Sequence, residues 1–241
     1  MSPIATNAWE RPWRPVFSVT LAVFLSMLGA PPGCTAQTLR KGVSVRLAVT
    51  RNAVAMPDAD KDGSLIVAVT HSGRVYFGID PITPAALAEK RGLSPRPGER
   101  LYIKVDARTP YANVAEVLSA VRKAGVTAPN LLTGQPEAPE PGKLLVPKGL
   151  EVLVGPPLPP ATESIVIHLF NSGERHPRLK INQKDVPWAN LESALGQLSA
   201  NQSKRVVLVS ADGLLPFDDV VHVIDMCRLT GANVYLVTPA T

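Results

Sequence analysis

The chain has 241 residues, enough for one large domain or for two domains of about 100 residues each. Its net charge of +5 comes from scattered basic residues without a basic run, which argues against nucleic-acid binding. The two cysteines, Cys34 and Cys227, cannot form a disulfide framework, and 24 prolines are the main departure from an ordinary globular composition.

A short segment, residues 1–14, precedes the most apolar stretch of the chain, residues 15–37. The uncharged core of this stretch, residues 16–30, is shorter than the roughly 20 residues of a bilayer-spanning helix and has the upper length of a signal-peptide core. The sequence therefore predicts either a transmembrane anchor or a signal peptide cleaved near Ala36, in preference to an ordinary buried helix. In both cases we expect residues from about 38 onward to lie outside the cytoplasm.

The first predicted domain, residues 38–133, contains four strand-forming runs and two helix-forming runs. Alternating apolar residues indicate the strands, and Thr-Pro starts with glycine stops indicate the helices. Thr83 is the expected N-cap of the shorter helix. The predicted elements are a hairpin at 64–78, a helix at 83–92, a strand at 100–107, a helix at 109–125 and a strand at 128–133.

Residues 134–149 are rich in proline and glycine, which excludes a regular helix or a central strand and predicts a linker. The second predicted domain, residues 150–241, repeats the order of the first. Its elements are a hairpin at 164–182, a helix at 186–200, a strand at 205–213, a helix at 215–231 and a strand at 233–238.

One phrase of the first domain returns in the second. "VDARTPYANV" at 105–114 is followed 106 residues later by "ADGLLPFDDV" at 211–220. The apolar stripes of the two longer helices match at the same offset, and they consist of Val114, Val117, Leu118 and Val121 and of Val220, Val223, Ile224 and Cys227. Such a repeat predicts two homologous domains. The order β-β-α-β-α-β predicts an α+β fold, with helices on one face of a mixed sheet.

Asp106 and Asp212 are the candidate functional carboxylates. Each follows the strand of the repeated phrase and precedes a helix, where the helix dipole favours a negative charge. They can contact a ligand or a partner, or they can cap the turn.

Other residues with chemical potential have simpler interpretations. "DADKDG" at 58–63 resembles a calcium loop, but Val69 stands where the loop needs a bidentate Glu, so a solvated turn is expected. Cys227 occupies a core position, and no serine or glycine-rich loop follows a catalytic pattern. The four histidines, which lack metal-binding spacing, are His71, His168, His176 and His222. We therefore expect no enzyme, no metal and no cofactor.

The order and spacing of the elements resemble those of the ExbD/TolR family of bacterial biopolymer transport proteins, in two tandem copies where the family typically has one. The resemblance is strongest over 42–133, in "LIVAVTHSGRVYFG" and "LYIKVDARTPYANVAEVLSAVRKAG", and recurs over about 148–238. It implies a single-pass inner-membrane protein with both domains in the periplasm. It also implies a stator beside an ExbB/TolQ-like proton channel, with a TonB/TolA-like protein or peptidoglycan as a partner.

Ser18 departs from the family pattern. The resemblance places the proton-carrying Asp of the family in a phrase like "PVFSV" at 15–19, where this chain has Ser18. A carboxylic acid within the membrane can load and release a proton, whereas a serine hydroxyl does not ionise at any relevant pH. Either this alignment through the hydrophobic segment is wrong, or the resemblance implies an accessory member of the family that cannot carry the proton itself.

Two functional hypotheses follow. The first is this accessory envelope protein, and the second is a secreted or periplasmic binding module for a partner protein or peptidoglycan that has no channel partner. Cleavage near Ala36 would favour the second. The terminal strand "NVYLVT" at 233–238 is a candidate edge for a homodimer.

Overall fold

A computed structural model describes residues 42–93, 95–96, 98–136, 145–155, 164–200 and 206–238. The predicted N-terminal segment and hydrophobic helix, with Ser18 and Cys34, lie outside the described residues, as do residues 137–144 of the predicted linker. Residues 41–241 form one compact unit.

The first sheet has seven strands in the order β1-β7-β6-β5-β2-β3-β4. The neighbours β2, β5 and β6 run parallel, and the outer strands pair antiparallel. The strands are β1 Val54–Ala55, β2 Leu65–Val69, β3 Val75–Phe77, β4 Asp80–Ile82, β5 Leu101–Val105, β6 Asn130–Thr133 and β7 Lys148–Glu151. A short 3-10 helix, Pro57–Asp60, follows β1.

Two helices belong to this sheet, α1 Pro84–Ala88 and α2 Tyr111–Lys123. The Thr83 hydroxyl accepts a hydrogen bond of 3.2 Å from the Ala86 backbone N–H, which confirms the predicted N-cap. The predicted apolar stripe of α2 is fully buried. Parallel β2 and β5 require a crossover, and α1 lies within it.

The second sheet has six strands in the order β11-β10-β9-β12-β13-β8. Its strands are β8 Leu153–Gly155, β9 Ser164–Phe170, β10 Arg178–Ile181, β11 Lys184–Val186, β12 Val206–Ala211 and β13 Asn233–Val237. Its helices are α3 Leu191–Ala200, preceded by the 3-10 helix Trp188–Asn190, and α4 Phe217–Leu229. The mixed sheets with their helices confirm the predicted α+β class, and the buried stripe of α4 matches that of α2.

The prediction that the terminal strand forms a sheet edge was wrong. β13 lies between β12 and β8, with which it pairs in parallel. β8 comes from residues directly after the predicted linker, in "LEVLVG" at 150–155, for which no strand was predicted. The backbone groups of β13 are therefore already paired on both sides within the chain.

One short stretch of chain joins the two sheets. β7 belongs to the first sheet and β8 to the second, so the chain changes sheet at Val152. The Val154 N–H still donates a hydrogen bond of 2.9 Å to the Thr127 carbonyl of the first domain. Buried apolar residues of both domains form a single contact cluster. The predicted domain limits at residues 133 and 150 remain predictions, and β7 straddles the second of them.

Gly149 tests how closely β7 packs. A Cβ atom at this position would lie 2.6 Å from the Leu131 carbonyl oxygen and 2.6 Å from the Met56 sulfur. We expect Gly149→Ala to lower the free energy of unfolding by about 1–3 kcal/mol because backbone atoms must move. Gly196→Ala in α3, where a Cβ meets nothing within 4 Å, should raise stability by up to about 1 kcal/mol. Urea unfolding of both variants measures these changes in the free energy of unfolding. Equal changes in the two variants would contradict the close approach of Gly149 to Leu131 and Met56.

Candidate functional site

The structure brings the two copies of the repeated phrase together. Asp106 follows β5 and Asp212 follows β12, each just before the long helix of its domain. Between these aspartates and the helices, Pro110 and Pro216 face each other in an antiparallel bridge. The sequence predicted both turns but not their contact.

Asp106 is buried, with 4% of its surface exposed, and its carboxylate binds two residues of its own chain. The Arg108 side chain donates two hydrogen bonds, from Nε at 2.9 Å and from Nη2 at 3.0 Å. The backbone N–H groups of Arg108 and Arg46 donate two more, at 3.2 and 3.1 Å. The Arg108 guanidinium, followed by these backbone donors, holds the pKa of Asp106 well below its usual range, against the effect of burial. These are the contacts of a turn cap, and a partner role for Asp106 remains a prediction.

Asp212 has different surroundings, and 42% of its side chain is exposed. One carboxylate oxygen accepts a hydrogen bond of 2.9 Å from the Asn171 N–H, and the other lies 3.6 Å from His168 Nε2. His168 Nδ1 lies 2.6 Å from the Ser210 hydroxyl oxygen. The counterpart of Arg108 is Leu214, which is 78% exposed and offers no charge. Of the two equivalent carboxylates, Asp212 is therefore the one accessible to a partner.

Asp225 on α4 is a contact that the sequence reasoning missed. It is 3% exposed, and its two carboxylate oxygens accept hydrogen bonds of 2.9 Å each from the N–H groups of Arg51 and Asn52. Its backbone carbonyl accepts a third, of 3.2 Å, from the Asn52 side-chain amide. The equivalent position of α2 is Ser119. The sequence signal for this contact was therefore an acidic residue that lies beside the apolar stripe in only one of the two copies.

The segment from Arg46 to Asn52 is thereby attached to both domains. Its first part pairs with the turn of the first domain, because the Ala107 N–H donates 2.7 Å to the Arg46 carbonyl. Its middle meets the end of β6, where the Thr50 hydroxyl donates 2.7 Å to that of Thr133. Its last part is held by Asp225 of the second domain. We call residues 46–52 the leading segment.

The histidines form no metal centre in the described part of the chain, where no group of three or more His, Cys, Asp or Glu could hold a metal ion. His176 and His222 instead stack on Trp188, with ring centroids 5.3 and 5.1 Å away. An open groove of about 720 Å³ lies beside this stack, lined by Glu174, Arg178 and other residues. The sequence did not predict the stack because its rings come from a loop, a 3-10 helix and α4.

Two other predictions from the sequence can be compared with the structure. Asp58 of "DADKDG" forms an ion pair of 2.6 Å with Lys61, whose hydrogen bond lowers the pKa of Asp58. This is the solvated turn that was predicted. Cys227 is buried, as predicted, and its burial raises the pKa of the thiol to about 12.

The fold defines a protein with two homologous α+β domains, and the described residues contain no group of three or more His, Cys, Asp or Glu that could hold a metal ion. A family model described as biopolymer transport protein ExbD/TolR matches residues 34–135 and 150–240. The chain therefore belongs to the ExbD/TolR family. Comparisons with curated proteins and with solved structures found no match.

Membership of this family supports a role for the protein as a component of a biopolymer transport system. Proteins of the family are non-enzymatic, lie in the inner membrane with a periplasmic domain, and generally work with ExbB/TolQ-type and TonB/TolA-type partners. Within the residues that the structure describes, no helix is both long and apolar enough to cross a bilayer. The predicted hydrophobic segment, residues 15–37, lies outside them.

Asp106 should contribute to stability in a pH-dependent way. We expect Asp106→Asn to lower the free energy of unfolding by about 1–2 kcal/mol at pH 7, because it removes hydrogen bonds to a charged group. The folded pKa lies below the unfolded value of about 3.9, so the stabilisation is complete above that value and is lost as the pH falls toward the folded pKa. Urea unfolding at pH 7 and pH 3 should show the difference between variant and wild type shrinking at pH 3.

Asp212→Asn is the matched control for this experiment. Its carboxylate is more exposed and accepts one backbone hydrogen bond, so its effect at pH 7 should be smaller. A loss as large as that of Asp106→Asn, or a loss at Asp106 that is the same at both pH values, would contradict the argument.

Asp225 should control how tightly the leading segment is held. Replacing it by Ser, the residue at the equivalent position of α2, removes the acceptors of two backbone N–H groups. Hydrogen exchange at Arg51 and Asn52 should become faster by about tenfold or more in Asp225→Ser. Asp218→Ser on the exposed face of the same helix should leave both rates unchanged. Unchanged exchange in Asp225→Ser would show that other contacts hold the segment.

Proposed function

We propose that this protein is an accessory envelope component of a proton-driven biopolymer or protein transport system. The family match over two tandem segments carries the proposal. Residues 15–37 serve as a single membrane anchor, and both domains lie in the periplasm. The channel partner is an ExbB/TolQ-like protein, and the domains engage a TonB/TolA-like protein or peptidoglycan.

Ser18 is the reason for the accessory role. It stands where the resemblance expects the proton-carrying Asp, and its hydroxyl cannot take up and release a proton across the relevant pH range. In this proposal another subunit carries the proton, and this chain follows the movement that proton flow drives.

The leading segment gives such movement a route into the domains. It follows the proposed anchor, and its backbone is bonded to Asp106 in one domain and to Asp225 in the other. These bonds involve carboxylates that are almost completely buried, so the segment is held at two fixed points. A displacement of the anchor would therefore pull on both domains together.

The intact mass of the native protein in membrane and soluble fractions tests the proposal. We expect a full-length mass in the membrane fraction, together with a co-purifying protein that has several membrane helices. A soluble form whose mass corresponds to a chain that begins at Gln37 would contradict the proposal. The chain up to Ala36 would then be a signal peptide, and the alternative of a secreted or periplasmic binding module without a channel partner would hold.

Ser18→Asp tests the placement of the proton-carrying position. In membrane vesicles that contain the co-purified channel protein, we expect this variant to increase proton flux, because it restores an ionisable carboxyl group. Without the channel protein, flux should not change. Ser18→Ala is the control and should behave like the wild type in both cases. An equal proton flux for Ser18→Asp and Ser18→Ala in the presence of the channel protein would contradict the placement of Ser18 at the proton-carrying position.

A further inference from the structure

The two repeated turns supply the missing caps of each other's helices. The helices α2 and α4 begin after Pro110 and Pro216, which make no side-chain capping bond. The first backbone N–H groups of any helix have no partner within that helix. Here the partners come from the other domain, and each helix start is therefore completed by the turn opposite.

Four hydrogen bonds make up this contact. The Tyr111 N–H donates a hydrogen bond of 2.8 Å to the Leu215 carbonyl, and the Phe217 N–H donates one of 2.9 Å to the Thr109 carbonyl. In the next pair, the Ala112 N–H donates a hydrogen bond of 2.9 Å to the Gly213 carbonyl, and the Asp218 N–H donates one of 2.9 Å to the Ala107 carbonyl.

These bonds obey a local two-fold symmetry. The repeat offset of 106 residues converts Tyr111 into Phe217 and Thr109 into Leu215, so each bond of the first pair is the image of the other. The second pair is related in the same way. Both domains therefore use the same surface against each other, which is the isologous contact of a two-fold dimer. Two domains docked by unrelated faces would show no such reciprocity.

The residues of the turns fit this arrangement. Pro110 and Pro216 oppose each other at the centre, between the hydrogen-bonded positions, where a strand residue needs no N–H. A Cβ atom at Gly213 would lie 3.0 Å from that of Ala112, so the two turns approach closely. Tyr111 and Phe217, the aromatic pair of the repeated phrase, are both buried.

The leading segment departs from the symmetry in an informative way. Asp225 of α4 holds this segment, whereas the equivalent residue of α2, Ser119, has a buried hydroxyl with no partner among the described residues. A homodimer would contain two leading segments and would need an acidic acceptor such as Asp225 for each of them. This chain has one leading segment and one Asp.

We propose that the contact of the two turns is an internal dimer interface, and that one chain takes the place of a pair of single-domain subunits. The surface through which two such domains would associate is occupied within the chain. A second copy of the chain therefore cannot bind through this face. The inference rests on contacts among the described residues and not on the proposed transport role, so it holds for an anchored or a secreted protein.

Engineered cysteines in the full chain test the interface. In a Cys34→Ser background, Pro110→Cys and Pro216→Cys together place two cysteines at a non-hydrogen-bonded antiparallel pair, where Cβ atoms lie at a distance suited to a disulfide. We expect oxidation to give a monomer with an internal disulfide, independent of protein concentration. Disulfide-linked dimers or an absence of bridging would overturn the proposal.

The single variants are the matched controls. A second copy docked through the same two-fold face would place the same residue of both chains near one axis. Pro110→Cys alone or Pro216→Cys alone would then form a disulfide between chains. We expect both single variants to remain unlinked at the concentration at which the double variant is fully bridged, and a linked single variant would overturn the proposal.

Hydrogen exchange on the wild-type chain keeps the test independent of the substitutions. The amides of Tyr111, Ala112, Phe217 and Asp218 should be protected to a similar degree, although helix-start amides ordinarily exchange fast. Gly213→Val should speed exchange at all four by about tenfold or more, while Gly196→Ala should speed exchange at none of them. Fast exchange at these amides in the wild type, or an effect of Gly213→Val confined to one domain, would overturn the proposal.

Discussion

The two long helices of this protein begin directly after prolines, and a proline cannot cap a helix with its side chain. The carbonyl groups that complete each helix start belong to the other domain, and an N-terminal cap is typically worth about 0.5–2 kcal/mol. Each domain therefore completes the start of the long helix of its copy. The shared apolar cluster, the change of sheet at Val152 and the attachment of the leading segment join the same two domains at other places.

Much of the fold could be predicted because the signals are local. The apolar stripe of each long helix, the Thr83 cap and the buried Cys227 follow from spacing and residue type, and the structure confirms them. The repeat at a constant offset indicated two related domains. The edge of the second sheet was predicted wrongly because β8, the three-residue strand that covers β13, was not predicted from the sequence. Strand order depends on partners distant in sequence, which a pattern within one strand does not contain.

The candidate site shows the same limit more sharply. Asp106 and Asp212 were selected for equal positions, yet one is enclosed by Arg108 and the other is exposed beside His168. That difference arises from neighbours outside the repeated phrase and from the change of Arg108 to Leu214. Asp225 was missed because its partners, Arg51 and Asn52, are more than 170 residues away and donate backbone groups, which leave no mark in the side-chain sequence.

The pairing of the two turns also changes what a single substitution can do. In a pair of identical subunits every residue occurs twice, so a change that improves one half must be tolerated by the other. Here the two halves are encoded separately, and they have already diverged at Arg108 and Leu214 and at Ser119 and Asp225. One half can retain the contacts that hold the molecule together while the other acquires a new surface, so this chain can evolve the division of labour of a heterodimer.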